Sequence, residues 1–200
     1  ICVIFSPSQC LAGNPHTDQI LSKAKTSLEK NEYNEALNHF LEYVKIEEKE
    51  NKKDTLNLIN AYKNIGGIYS VYQNFAQALD LYEKAYALCQ GGLYHQVKFQ
   101  VLNNMIGANC NLGKWQEAEN LNKQIVKMPG VDKGERLFYY YFNKGFIANH
   151  TNDCNEKVKW MSLANEVVDK YQLPLKMKAY PYSEMYQCYE KQGELTKALD

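Results

Sequence analysis

The chain has 200 residues, 45% of them hydrophobic and 23% charged, enough apolar material to bury a sizeable core. Lysine plus arginine equals aspartate plus glutamate at 23 each, so the formal charge is zero. That argues against a nucleic-acid surface, which draws on a basic excess to displace counterions, and removes any electrostatic pull toward anionic lipid. Sixteen tyrosines against only five prolines suit long helices whose interfaces take large side chains with one polar end.

The first residues stand apart. Ile1–Phe5 is apolar, and the stretch from Ser6 to Gly13 is small and turn-forming. This is how a secretory signal ends, so residues 1–12 are expected to be the remnant of one, with cleavage after Ala12 and with Cys10 and Ala12 at the small-residue positions. A buried strand or a disordered stub is the alternative. Lipidation at Cys10 is disfavoured because Pro7, Ser8 and Gln9 make a poor lipobox. No later stretch approaches the roughly 18 apolar residues of a membrane span, so any anchor is expected outside the sequence in hand. The four later cysteines, Cys89, Cys110, Cys154 and Cys188, include no C-x-x-C pair. Cys110 and Cys188 fall inside helical patterns, where cysteine acts as a small buried hydrophobe.

From Thr17 onward apolar residues recur at three- and four-residue spacing, interrupted by short breaks carrying Asn, Gly or Pro. A first unit joins Ala24, Asn31-Glu32-Tyr33, Ala36 and Phe40. The second and clearest runs Tyr62, Ile65-Gly66, Tyr69, Gln73-Asn74-Phe75, Ala78, Tyr82 and Ala85. A third has Leu102, Met105, Gly113-Lys114-Trp115 and Ala118, and a fourth Tyr141, Gly145, Asn152 and Ala164. A fifth begins with Tyr182, Tyr189, Gly193-Glu194-Leu195 and Ala198.

The second unit resembles the tetratricopeptide repeat at nearly every defining position, lacking only the closing proline, with Gln90 near its place. The resemblance implies an all-α fold: a right-handed superhelical solenoid of antiparallel helix pairs, helix A then helix B, about five repeats over residues 13–200. Small residues at Gly66 and Ala78 let the two helices approach closely. Tyr62, Tyr69 and Tyr82 fill the space around that contact, and Ala85 admits the next helix A. Lys157 takes the alanine position in the fourth unit, so a looser helix contact is expected there. Equivalent positions (Ala36, Ala78, Ala118, Lys157, Ala198) are 42, 40, 39 and 41 apart, against 34 in the standard repeat. The surplus falls between helix B and the next helix A, as from Lys45 to Leu58, and implies helices about one turn longer each. The sequence stops within a helix B, and a solenoid ends on a polar capping helix, so the array is expected to continue past Asp200.

Residues that carry chemistry are not found. His150 and Cys154 stand four apart across a turn, without a second ligand pair, and so read as surface residues rather than a metal site. Framed Ser or Cys nucleophiles are absent, and neither Gly66-Gly67 nor Gly91-Gly92 has phosphate-loop spacing. The mixed charge run Glu47–Asp54 reads as a solvated turn between repeats. No catalytic, cofactor-binding or metal-ligating residue is assigned.

What the resemblance does imply is a concave groove on the inner face of the A helices, binding a protein or an extended peptide segment. Carried over copy by copy, that groove has Asn60, Lys63 and Ser70, then Gln100, Asn103 and Asn111. It continues with Tyr139, Phe142, Phe146 and Asn149, and ends with Tyr180, Ser183 and Gln187. Asparagine can both donate to and accept from a peptide backbone, while Tyr and Phe provide apolar anchors. Asn64, Asn104 and Asn143 recur at one repeat position, which suggests a structural role. Lys63 is nearly the only cation in the groove, so a C-terminal carboxylate ligand of the kind chaperone adaptors clamp is disfavoured. Phe142→Ala with Asn103→Ala is expected to weaken capture while leaving helicity and melting unchanged.

An export signal followed directly by long repeats resembles the layout of Bacteroidetes-type exported regulators. The expectation is therefore an extracytoplasmic, non-enzymatic sensor or interaction scaffold, with membrane contact only through an anchor outside the sequence. Two alternatives stay open: a cytoplasmic peptide receptor of the quorum-sensing type, or a repeat appendage of an enzyme lying past residue 200.

Overall fold

The computed structural model describes residues 15–50, 54–90 and 92–194. The expected signal remnant at 1–12 and the fifth-copy positions Leu195 and Ala198 lie outside the described residues. Nine α-helices follow one another, with no strand among the described residues: α1 Pro15–Glu29, α2 Tyr33–Glu47, α3 Thr55–Val71, α4 Phe75–Leu88, α5 His95–Asn111, α6 Trp115–Val126, α7 Gly134–Ile147, α8 Cys154–Lys170 and α9 Ala179–Gln192. Each helix packs most closely on its neighbours in the chain, and A helices also meet across one element, as between α3 and α5 and between α5 and α7. That pattern is a solenoid of four A/B pairs plus the A helix of a fifth, the all-α superhelix expected.

The repeat is written most regularly at its A–B corners. Asn31, Gln73, Gly113, Asn152 and Gly193 all take left-handed backbone, at successive steps of 42, 40, 39 and 41 residues. At four of the five, the amide of the next residue bonds back to a carbonyl five residues earlier: Glu32 to Ser27, Asn74 to Tyr69, Lys114 to Asn109 and Glu194 to Tyr189, at 2.8–2.9 Å. This closes the orphan carbonyls of helix A and sets the angle at which helix B returns. The fourth corner differs. A 3-10 turn over Ala148–Thr151 extends α7, and the side chain of Asp153 starts α8 instead, accepting from the amides of Asn155 (2.9 Å) and Glu156 (3.1 Å). Only glycine enters left-handed backbone without a Cβ cost of about 1 kcal/mol. Gln73→Gly is therefore expected to stabilise the array by about 0.5–1 kcal/mol, read as a higher Tm, while Gly113→Gln at the equivalent corner lowers it.

Between the A and B helices the small residues act as expected. Ala24, Ala36, Ala78, Ala85 and Ala118 are fully buried, and Gly66 lies against the ring of Tyr82, whose hydroxyl meets that of Ser70 at 3.1 Å. The core runs as a seam along the solenoid. Val101 and Met105 of α5 join the core of the first two repeats, while Phe99, Leu102 and Ile106 join that of the third, so this helix is clamped from both sides.

Three expectations need correction. The helices are 12–17 residues long and not uniformly extended. Much of the surplus over the standard repeat sits in the B-to-A connections, which span six to eight residues where the first three A–B corners span three. Second, Lys157 does not loosen the fourth pair, since α7 and α8 lie against each other as fully as α3 and α4. Its side chain is buried, its ammonium pairs with Glu184 of α9, and Gly145 gives space to Met161. Third, the start of the charged run is not a solvated turn. Glu47 is buried and accepts from the amide of Asp54 at 3.1 Å, and Glu48 accepts from the hydroxyl of Tyr62. Residues 51–53 lie outside the described residues.

These contacts make the array sensitive to alkali. Burial raises the phenol of Tyr43, and the carboxylates of Glu47, Asp54 and Asp18 raise it further. Tyr62 is raised by burial, then by its bond to Glu48 and that residue's charge. In the unfolded chain these phenols ionise near pH 10, while the folded protein holds their protons to higher pH. Above about pH 10 the unfolded state binds fewer protons, so stability that is full below that pH falls as pH rises. Tyr43→Phe is expected to soften the fall in Tm between about pH 9 and 11, and an unchanged slope would show that Tyr43 does not contribute.

Candidate ligand-binding cleft

The A helices α5, α7 and α9 turn one side toward a cleft of about 620 Å³, with Ser70 of α3 and Phe75 and Tyr82 of α4 at its far end. Phe138, Phe142 and Phe146 are four residues apart on α7 and so share a helix face. Their rings stack at 5.8 and 6.2 Å, within 10° of parallel. Tyr180 of α9 meets Phe142 edge-on at 6.5 Å, and Met177, from the 3-10 turn Leu175–Lys178, completes that wall. Lys176 and Glu184 add one charge of each sign. The opposite wall is α5, which contributes Asn103, Asn104 and Asn111. A Cβ at Gly107 would meet nothing within 4 Å, so its lack of a side chain leaves that wall low.

An adjoining polar hollow of about 340 Å³ shares Asn103, Asn104 and Tyr139 with the cleft. Lys63 there donates to Gln100 Oε1 at 2.6 Å, and burial lowers its pKa. Arg136 donates to Gln96 Oε1 at 2.7 Å and to the carbonyl of Pro129, with its guanidinium 5.3 Å from the Phe99 ring centre. Lys63 is thus not nearly the only cation. Arg136 and Lys176 join it, because they come from the B-to-A connections and helix starts that shifted the repeat length. Glu135 stands beside Lys63 and Arg136 in the polar hollow, Glu184 is taken by Lys157, and both Lys63 and Arg136 already have glutamine partners.

Of the expected groove residues, Ser70, Asn103, Asn111, Tyr139, Phe142, Phe146 and Tyr180 line the main cleft, and Lys63 and Gln100 line the polar hollow. Four do not. Asn60 lines neither hollow and turns its amide to the carbonyl of Leu56 on its own helix, at 3.0 Å. Asn149 falls in the 3-10 turn beyond α7, which carries it off the helix face. Ser183 and Gln187 are solvent-exposed, and the wall there is Lys176, Met177, Tyr180 and Glu184.

Register alone did not separate the asparagines. Asn143 has the structural role expected at its position: it is buried and donates to Asn103 Oδ1 at 2.7 Å. Asn104, at the same repeat position, instead faces both hollows with no hydrogen-bond partner among the described residues. Asn103 is therefore partly spoken for and Asn104 is the open amide. Phe142 is half-buried between two stacked rings, so Phe142→Ala would cost stability, contrary to the expectation of unchanged melting. His150 stacks on Trp115 at 5.7 Å, and its Nδ1 lies 2.7 Å from the carbonyl of Ile147, a packing arrangement at the fourth corner.

Neither a family model nor a curated protein sequence matches the chain. Solved structures do. BtubC (BKLC) from P. vanneervenii is similar at a TM-score of 0.67 and 18% identity, over 90% of this chain and 74% of that one. A Podosopora anserina kinesin light chain with nearly identical TPR-like repeats is similar at 0.64 and 15% identity, over 94% and 92%. MamA from Desulfovibrio magneticus RS-1 follows at 0.61 and 12% identity, over 94% and 92%. The fold is thus a tetratricopeptide-type helical repeat.

Proposed function

We propose that the array holds an extended segment of another protein in the α5–α7–α9 cleft. We propose further that it does so, without catalysis, as the exported sensor or interaction part of a membrane-associated bacterial regulator. The observation that supports the first statement is the cleft's composition. A wall of stacked rings offers an apolar anchor site opposite asparagines, of which Asn104 is uncommitted. Such a surface suits a backbone held by amides with one or two large side chains seated between the rings. Glu184 is already paired with Lys157, and the lining is mostly apolar rings and amides, which favours a segment held by its backbone and apolar side chains over a charged tail.

The test is selection of extended peptides from a random displayed library on the intact chain, counter-selected on Tyr180→Ala with Asn104→Ala. Peptides with an aromatic or large aliphatic anchor that prefer the parent support the reading, and peptides that bind both proteins equally mean that the partner docks elsewhere. Export rests on the apolar Ile1–Phe5 stretch followed by small residues, and membrane association would come from an anchor outside the sequence. N-terminal sequencing of the protein recovered from its own cells tests export. A start at Gly13 supports it, and retention of residues 1–12 would favour the cytoplasmic peptide receptor.

A further inference from the structure

Helices α8 and α9 run antiparallel, joined by several polar contacts: Gln192 Nε2 donates to Asn155 Oδ1 at 3.4 Å, Lys157 pairs with Glu184, and Ser162 and Asn165 both donate to the Met185 sulfur at 3.9 Å. Beside the first of these lie Cys154, next to Asn155 and half-buried behind the Asp153 cap, and Cys188, one turn before Gln192 and buried in α9, with their thiols within hydrogen-bonding reach of each other. We propose that Cys154 and Cys188 form a reversible disulfide that staples the fourth helix pair to α9.

The other two described cysteines have no such neighbour. Cys89 turns its thiol to the carbonyl of Ala85 at 3.3 Å, and Cys110 is buried with burial pushing its thiol up to about 12. At the pair, burial first and then the bond to Cys154 hold Cys188 up to about 11, while the Lys157 and Lys191 ammoniums pull the other way. Cys188 therefore keeps its proton near neutrality, and the more accessible Cys154 reacts first. Its thiolate attacks a small-molecule disulfide such as oxidised glutathione, forming a mixed disulfide and expelling one glutathione thiolate. Cys188 then yields its proton and attacks the Cys154 sulfur, releasing the second glutathione thiol. Two protein thiols are oxidised to one S–S bond, and one external disulfide is reduced to two thiols. The bond joins residues 34 positions apart and fixes α9, which carries Tyr180 and Glu184 of the cleft.

The full chain is equilibrated in oxidised glutathione or in dithiothreitol, blocked with N-ethylmaleimide and digested for mass spectrometry. The oxidised sample is expected to yield a peptide pair joined through Cys154 and Cys188, and a Tm about 5–10 °C above the reduced sample. Cys154→Ser, at a half-buried helix start that tolerates the change, is expected to remove both signals, as is Cys188→Ala. Four results overturn the proposal: a stable glutathione adduct on Cys154, a Cys188 still alkylated after oxidation, Cys154 joined to another cysteine, or the same Tm shift in Cys154→Ser.

Discussion

Gly66→Ala is expected to destabilise the array by about 1–2 kcal/mol, whereas Gly145→Ala is close to neutral. Both glycines lie where an A helix meets its B helix, and in both a methyl gains about 1 kcal/mol of helix propensity. What differs is the neighbour. At Gly66 the new Cβ would stand 2.5 Å from Cε1 and 2.8 Å from Cδ1 of Tyr82, a rigid ring that is fully buried and tied to Ser70. The ring cannot step aside without breaking that bond and disturbing the contact of α3 with α4, so overpacking outweighs the propensity gain. At Gly145 the nearest atom is the terminal methyl of Met161 at 2.8 Å, the end of a flexible thioether that can turn away. Thermal unfolding of the two variants should separate them by about 3–8 °C. Equal melting would mean that the α3–α4 contact is more pliable than its packing indicates.

The second large effect is on binding. Tyr180→Ala with Asn104→Ala is expected to weaken a selected peptide by about 10- to 100-fold, the loss that follows when one aromatic anchor and one backbone-pairing amide are removed. Tyr180 is 73% exposed, and Asn104 has no hydrogen-bond partner among the described residues, so helicity and Tm should barely change. Isothermal titration with the peptide, beside circular dichroism of both proteins, reads the two quantities separately. Phe142→Ala with Asn103→Ala would confuse them, since one residue sits in a ring stack and the other accepts the amide of buried Asn143. A double variant with unchanged affinity would place the partner on another face.

Much of this protein follows from chain-local physics and so could be read along the sequence. Small residues at Gly66, Ala78 and Ala118, aromatics between them and turn residues at Asn31, Gln73 and Gly113 act within one helix pair. Their spacing therefore determined the all-α repeat, its corners and its period, and the buried Ala and Tyr side chains stand where that pattern puts them. The inner-face positions of α5 and α7 were legible for the same reason, because a helix face is set by a period of 3.6 residues.

Whatever depended on two distant segments meeting was decided only by tertiary structure. The 3-10 turn before α9 brings Lys176 and Met177 to the cleft, so that with Glu184 they form its wall in place of Ser183 and Gln187. Lys157 at an alanine position signalled a looser contact, yet Glu184 on the next helix pairs with its ammonium while α7 and α8 stay closely packed. The two asparagines Asn104 and Asn143 occupy one repeat position, and only the neighbouring Asn103 makes one a structural bond and leaves the other open to a ligand. Periodicity specifies which face a side chain takes; the partner it meets there depends on how the connections bring the next repeat across.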